Sequence, residues 1–275
     1  MLEQLTPILA SKKALVGLGI VLFWVLAASI GPFLVPHDPL HQNPDAINSG
    51  PSAKHWLGTD DVGRDLLARI IYGARRTLIL APLSVLIALM IGATLGLVGG
   101  YFGGTVDELV MRLLDAFMAI PTVLLYLIFI SSLGASALNV VLAVAIGGVP
   151  GIARLVRGLT LDIRTREYVS AAKLRGEGAL YIMFLEILPN ARGPIMVDAM
   201  LRVGYAVFAI GTLGYLGLGL PPPLPDWGNM VQRAHAFIFS NAWGVLWPAL
   251  AISSFVVGLN LFVDGWQQIN RRYRG

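Results

Sequence analysis

Charge vanishes from this chain in long stretches and returns in short ones. Residues 14–37, 77–106, 116–153, 203–225 and 234–263 contain no Asp, Glu, Lys or Arg. Roughly 20 helical residues cross a bilayer core, so each run predicts at least one span. The third run is too long for one crossing and divides at LGASALN, Leu133 to Asn139, as a helical hairpin would. Six spans follow: one near the N-terminus and five at about 77–101, 110–132, 137–157, 194–219 and 243–264. The expected fold class is an all-α integral membrane protein.

Between residues 154 and 192 the pattern reverses, with seven Lys/Arg and four Asp/Glu. One basic residue at a helix centre costs about 2.5–3.5 kcal/mol on insertion, so seven would cost about 20 kcal/mol. This segment therefore lies outside the lipid. Thr165 is placed to cap a helix there, and Glu167 sits in its first turn, where a negative charge meets the positive helix end. Tyr168, Ala171, Ala172 and Arg175 share a face at helical spacing, Gly176 interrupts, and a second amphipathic stretch is expected to end at Pro189. A short helix with a flat Ala-Ala surface lets another protein come close to its backbone.

The stretch from Pro36 to Asp65 is rich in Pro, Asn, Asp and Gly and reads as irregular loop. After it, Leu66, Leu67, Ile70, Ile71 and Ala74 predict a short amphipathic helix lying on the membrane interface before the second span. The expected organisation is an N-terminal segment, 1–75, a membrane domain, 76–266, and a tail, 267–275. Gly211, Gly214 and Gly217 form a small-residue strip on the fifth span, most simply for tight packing and otherwise for a backbone-lined pathway.

Composition agrees with the membrane class: 56% of the 275 residues are hydrophobic and mean hydropathy is +0.72. Charge adds orientation. With both termini cytoplasmic, that side holds 13 Lys/Arg against six on the other, the bias that cytoplasmic loops carry. The net charge of +4 reflects this bias and the anionic lipid it faces. No basic stripe interleaved with stacking aromatics points to nucleic acid. Lys12-Lys13, the apolar run and AAS at Ala27 to Ser29 also fit a cleaved secretory signal, but the apolar stretch continues through Val35 and favours a retained helix.

Candidate chemistry is sparse. The absence of cysteine excludes disulfides and thiolate sites. Asp60, Asp61 and Asp65 lack the ligand rhythm of a calcium loop and suit turn and helix-cap roles, while His37, His41 and His55 show no metal-ligand spacing. His235 with Ser253 and Ser254 lacks a nucleophile elbow or a second catalytic group of a hydrolase. Asp115, Asp198, Arg202 and Asp264, the ionisable groups nearest membrane depth, are poor candidates for an ion-coupled secondary transporter. They fall near span ends, and Asp198 and Arg202 are spaced to pair. No G-x-x-x-x-G-K-[ST] occurs, so the chain is not expected to hydrolyse ATP.

The segment EYVSAAKLRGEGALYIMFLEILPN, Glu167 to Asn190, resembles the EAA motif of ABC importer permeases. HWLGTDDVGRDLLARIIYGARRTL, GGYFGGTVDELVMRLLDAFMAIP and GYLGLGLPPPLPDWGNM are similar to the dipeptide/oligopeptide/nickel permease family, in particular its C-type subunit, and the likeness runs from about residue 30 to 266. The resemblance implies a type I importer permease fold whose EAA segment is a cytoplasmic coupling helix. It implies Glu167, Tyr168, Ala171, Ala172 and Gly176 as the ATPase-coupling residues. The implied partners are a second, B-type permease, two cytoplasmic ATPases that use ATP and Mg, and a periplasmic binding protein. The cargo implied is short peptides or, alternatively, nickel complexes, glycosides or opines. Lys173-Leu174-Arg175 and Glu177 depart from the usual small, apolar run and would adjust which ATPase fits.

Overall fold

In a computed structural model, which describes residues 11–272 with side chains to Gln268, the chain is helical almost throughout. The long helices are α1 (Lys12–Ser29), α2 (Leu66–Phe102), α3 (Gly104–Met118), α4 (Thr122–Leu133) and α5 (Ala137–Ile163). They are followed by α6 (Glu167–Leu174), α7 (Ala179–Tyr215), α8 (Trp227–His235) and α9 (Trp243–Arg272). Five helices, α1, α2, α5, α7 and α9, are long and apolar enough to cross a membrane, and α3 with α4 supplies a sixth, bent by 83°.

Three local expectations are corrected. The interfacial helix from Leu66 is the start of α2, a single helix of 37 residues. At 1.5 Å per residue it is about 55 Å long, well beyond a bilayer core of about 30 Å, so both features fit on one rod. The third span is broken between Met118 and Thr122, where Pro121 cannot donate to the helical ladder. Pro189 ends nothing: residues Ile182–Ile187 form a π-helical turn, and the helix continues through the proline to Tyr215. A wide turn displaces the carbonyl that a proline ring would otherwise strike. The expected tail is helical to Arg272, and its last residues, Arg274 among them, lie outside the described residues.

The chain divides into two compact units. The first comprises the chain up to Leu83, Leu127–Val141, and the chain from Val203 onward. Here α1 lies along α9 without side chains between their backbones: a Cβ on Gly17 would stand 2.3 Å from the Phe262 nitrogen. Trp24 Nε1 donates to Ser254 Oγ at 3.0 Å, and His235 sits edge-on to Tyr215. Of the glycine strip, Gly211 and Gly214 on α7 serve packing, since a Cβ on Gly228 would lie 2.0 Å from the Gly211 carbonyl oxygen and one on Gly214 2.4 Å from Asp226 Oδ1, while Gly217 lies past the end of α7 at φ +78° with open space around it.

The loop before α2 turns on Gly63, whose φ of +79° and 1.9 Å distance from a built Cβ to the Asn43 oxygen leave room for glycine alone. Its carboxylates hold the chain in place. Asp60 accepts from the Val62 and Arg64 backbone and from Arg64 Nε at 2.6 Å. Asp61 receives Arg233 at 2.6 Å, and Asp65 Oδ1 accepts the Ala68 N–H at 2.8 Å at the start of α2. Turn and cap duty accounts for Asp60 and Asp65, whereas Asp61 is held by its ion pair to α8.

The second unit comprises Ser84–Tyr126 and Leu142–Arg202. Its helices approach closely at glycine: a Cβ on Gly96 of α2 would meet the Ala153 oxygen of α5 at 2.4 Å. Arginines along α5 then bind the neighbouring segment. Arg154 pairs with Asp115 at 2.5 Å, Arg157 grips both oxygens of Asp107 at 2.5 Å, and Arg164 donates to the Gly100 and Tyr101 carbonyls at 2.8 and 3.2 Å. Asp198 and Arg202 pair at 2.5 Å across one turn of α7.

Candidate functional site

The polar segment after α5 folds as α6. Its N-cap is Arg166, without a side-chain hydrogen bond, and Thr165 instead turns back to donate to the Asp162 carbonyl at 2.8 Å. Arg166 Nη2 reaches Asp162 Oδ2 at 2.8 Å, and that hydrogen bond, with the carboxylate's charge, raises the guanidinium's pKa above its ordinary value. The exposed Glu167 lies in the first turn and Lys173 in the last, each favourable to the helix dipole.

Gly176 closes the helix. It adopts φ +82°, the Gly176 N–H bonds the Lys173 carbonyl at 3.0 Å, and the Glu177 N–H bonds Ala172 at 3.2 Å. This is the paired 5→2 and 6→1 pattern of a Schellman cap. A Cβ there would meet no atom within 4 Å, so only the left-handed backbone demands glycine. Gly176→Ala should therefore cost about 1–2 kcal/mol locally. Hydrogen exchange of the amides from residue 167 to 176 should speed up about 5- to 30-fold. An unchanged rate would mean the cap does not hold α6.

The two alanines face opposite ways. Ala172 is 0% exposed, as is Val169, and both join a core with Leu97, Leu114, Val156, Ile163, Ile182, Met183 and Ile187. Ala171, with Glu167, Ser170 and Gly176, lies open. The expected shared face of Tyr168, Ala171, Ala172 and Arg175 is thus corrected: Ala172 shapes the seat of the helix, and Tyr168 is half-buried with its hydroxyl inside. Leu174, within the Lys173-Leu174-Arg175 run, is 90% exposed. Its signal was an apolar residue one helical step, i+3, from Ala171.

Electrostatics hold this surface in position. Arg175 spans Glu177 and Glu186, at 3.7 and 3.4 Å, and Lys173 Nζ stands 5.5 Å above the Tyr101 ring. The result is a short helix seated by Val169 and Ala172 on the same core as α2, α5 and the π-helical turn, with a small, partly apolar face outward. Force applied to that face is delivered to packed helices, because interiors are dense and yield little.

Most other candidate groups are engaged elsewhere. Asp115 and Asp198 are paired with arginines, Ser254 Oγ accepts a hydrogen bond from the Trp24 indole N–H, and Asp264 is exposed. His37 and His55, by contrast, come together with Asp65 in one cluster, which sequence spacing did not suggest.

Residues 88–274 match the model of the binding-protein-dependent transport system inner membrane component, and residues 8–51 that of the N-terminal TM domain of oligopeptide transport permease C. The chain is 41% identical over 263 residues to the dipeptide transport system permease protein DppC of Alkalihalophilus pseudofirmus, covering 96% of this chain and 86% of that one. It is 39% identical over 246 residues to the glutathione transport system permease protein GsiD of Pectobacterium atrosepticum, covering 89% and 82%. Among solved structures, the MetNI methionine ABC transporter in an inward-facing conformation shares the fold. The TM-score is 0.59 at 20% identity, over 74% of this chain and 95% of that one.

Proposed function

The chain belongs to the binding-protein-dependent transport system inner membrane components and is a permease subunit of an ABC importer; from that premise we propose that its cargo is short peptides and that α6 is its coupling helix. The observation that carries the coupling role is the seating of α6: Ala172 and Val169 in the core, Ala171 and Leu174 facing out. ABC importers of this family imply a partner permease and ATPase subunits.

In the arrangement we infer, the partner is a B-type permease, two cytoplasmic ATPases bind ATP and Mg, and a periplasmic binding protein delivers the cargo. Glu167, Tyr168, Ala171, Ala172 and Gly176 form the coupling element, with Leu174 added to its outer face. The chain itself binds no nucleotide in this scheme. Both termini are cytoplasmic, as the 13-to-6 distribution of Lys/Arg supports. Closure of the ATPases displaces α6, and the shared core carries the displacement to α2, α5 and α7. A coupling helix shifts the access equilibrium only by its difference in contact between the two states. Peptide cargo is supported by the dipeptide and glutathione permeases among the relatives.

Reconstituted in liposomes with its partners, the transporter is expected to accumulate labelled dipeptide only with ATP and an active ATPase. Uptake on a proton gradient alone would favour a secondary transporter, and competition by nickel chelates but not by peptides would replace the cargo. Since the chain has no native cysteine, Ala171→Cys gives a clean topology probe. A membrane-impermeant maleimide should label it from the cytoplasmic side only.

A further inference from the structure

We propose that the cavity bounded by α1, the start of α2 and the start of α9 binds one phospholipid by its acyl chains. The space measures about 720 Å³, and every wall belongs to the first unit. Volumes of about 300–1,000 Å³ suit a small molecule. Phe23, Leu26 and Leu34 supply one side, Ile71 of α2 and Leu250 of α9 supply others, and Trp56 comes in from the loop.

The lining decides the chemistry. Among the described residues no charged side chain borders the cavity, and its one hydroxyl is already used twice. Ser254 Oγ accepts from Trp24 Nε1 at 3.0 Å and donates to the Ala251 carbonyl at 3.2 Å. The Trp247 indole nitrogen is buried by protein atoms and shielded from the open space. A peptide or another polar solute would leave its amides unpaired against such walls, at a cost that apolar chains do not meet. The occupant is therefore not the transported cargo.

Size separates the apolar occupants. From Phe23 to Leu34 the lining follows α1 and the short helix Gly31–Leu34 that continues it, about 16 Å at 1.5 Å per residue. Half of a hydrocarbon core of about 30 Å is about 15 Å, so the slot is one leaflet deep. A partner helix of about 10 Å diameter would fill about 1,250 Å³ over that length, well beyond the space available. Placement agrees. Trp56 is 64% exposed although it stands in a polar loop, as an interfacial tryptophan does, and the exposed Phe23, Leu26 and Leu34 open the slot sideways onto the bilayer. With both termini cytoplasmic, as proposed above, the leaflet is the outer one. A lipid lodged there would tie α1 to the beginnings of α2 and α9.

The test is native mass spectrometry of the purified transporter complex, stripped of lipid in detergent and titrated with phosphatidylglycerol. Wild type should retain one lipid more per permease chain than Ala27→Trp, whose indole would occupy the slot, and should bind it at least tenfold more tightly. Val16→Trp, at an exposed position of α1 outside the cavity, should behave as wild type. The same lipid should raise the unfolding temperature of wild type and Val16→Trp but not of Ala27→Trp. Should Ala27→Trp fail to assemble, Trp56→Ala decides, because that exposed loop side chain can be removed without opening the core, and it too should lose the lipid. Equal retention by wild type and the cavity variants, or uptake that never saturates, as for lipid held by the surface at large, overturns the proposal. A Leu26→Cys variant that crosslinks in high yield to the partner permease would show protein in the slot and overturn it as well.

Discussion

Leu174→Asp is expected to cut ATP-driven uptake sharply while leaving the permease inserted in the membrane. Leu174 is the most open apolar side chain on α6, at 90% exposure, and makes no contribution to the core beneath it. Its replacement therefore leaves the seat of the helix alone and changes only what meets a partner. A central apolar anchor at a protein interface is worth about 2 kcal/mol or more, so the ATPase should bind about 30-fold more weakly. Uptake should fall by tenfold or more, and ATP hydrolysis should lose its dependence on the loaded receptor. Ala171→Trp should do the same by bulk. Conversely, Ala172→Trp should damage assembly itself, since that side chain is enclosed. If Leu174→Asp and Ala171→Trp both transport normally, α6 is not the docking element.

Gly96→Leu should prevent the second unit from assembling. The Cβ would lie 2.4 Å from the Ala153 oxygen, and 2.9 Å from both the Arg157 nitrogen and the Val156 Cβ, so it meets backbone that cannot rotate away. Overpacking a core costs about 1–3 kcal/mol when side chains can adjust, and this site stands at the upper end or beyond. Moving α5 aside would also pull Arg157 from its bidentate grip on Asp107. Gly158→Leu is the control on α5, the helix that faces Gly96, because a Cβ there meets nothing within 4 Å. In detergent, Gly96→Leu should aggregate or unfold many degrees below wild type, with Gly158→Leu close to it. Matching unfolding temperatures for the two would show that close helix approach does not matter here.

The spans were legible because charge is so costly in lipid that its absence is itself a signal. Helix continuity was less so. Arg69, Arg75 and Arg76 look like a boundary before the second span, yet they ride on α2, which extends beyond the lipid. Pro189 looks like a stop, and only the π-helical turn before it lets the helix pass. The EAA-like segment marked α6 as a helix but not its faces: Ala171 and Ala172 are adjacent, and which one is buried depends on the core formed by Val156, Ile163 and Ile187. His37 and His55 meet through the folding of the intervening loop, and residue spacing carries no trace of that.

The basic residues from Arg154 to Arg192 act at two stages of the protein's life. During insertion, unfolded and unpaired, they bias the segment toward the cytoplasm. Once folded, Arg154, Arg157, Arg166 and Arg175 each have an acidic partner within 4 Å. Arg164, Lys173 and Arg192 have no carboxylate within that distance among the described residues, so the folded segment keeps a positive field. In the coupling role proposed for α6, those cations are what would hold it to anionic headgroups as it moves.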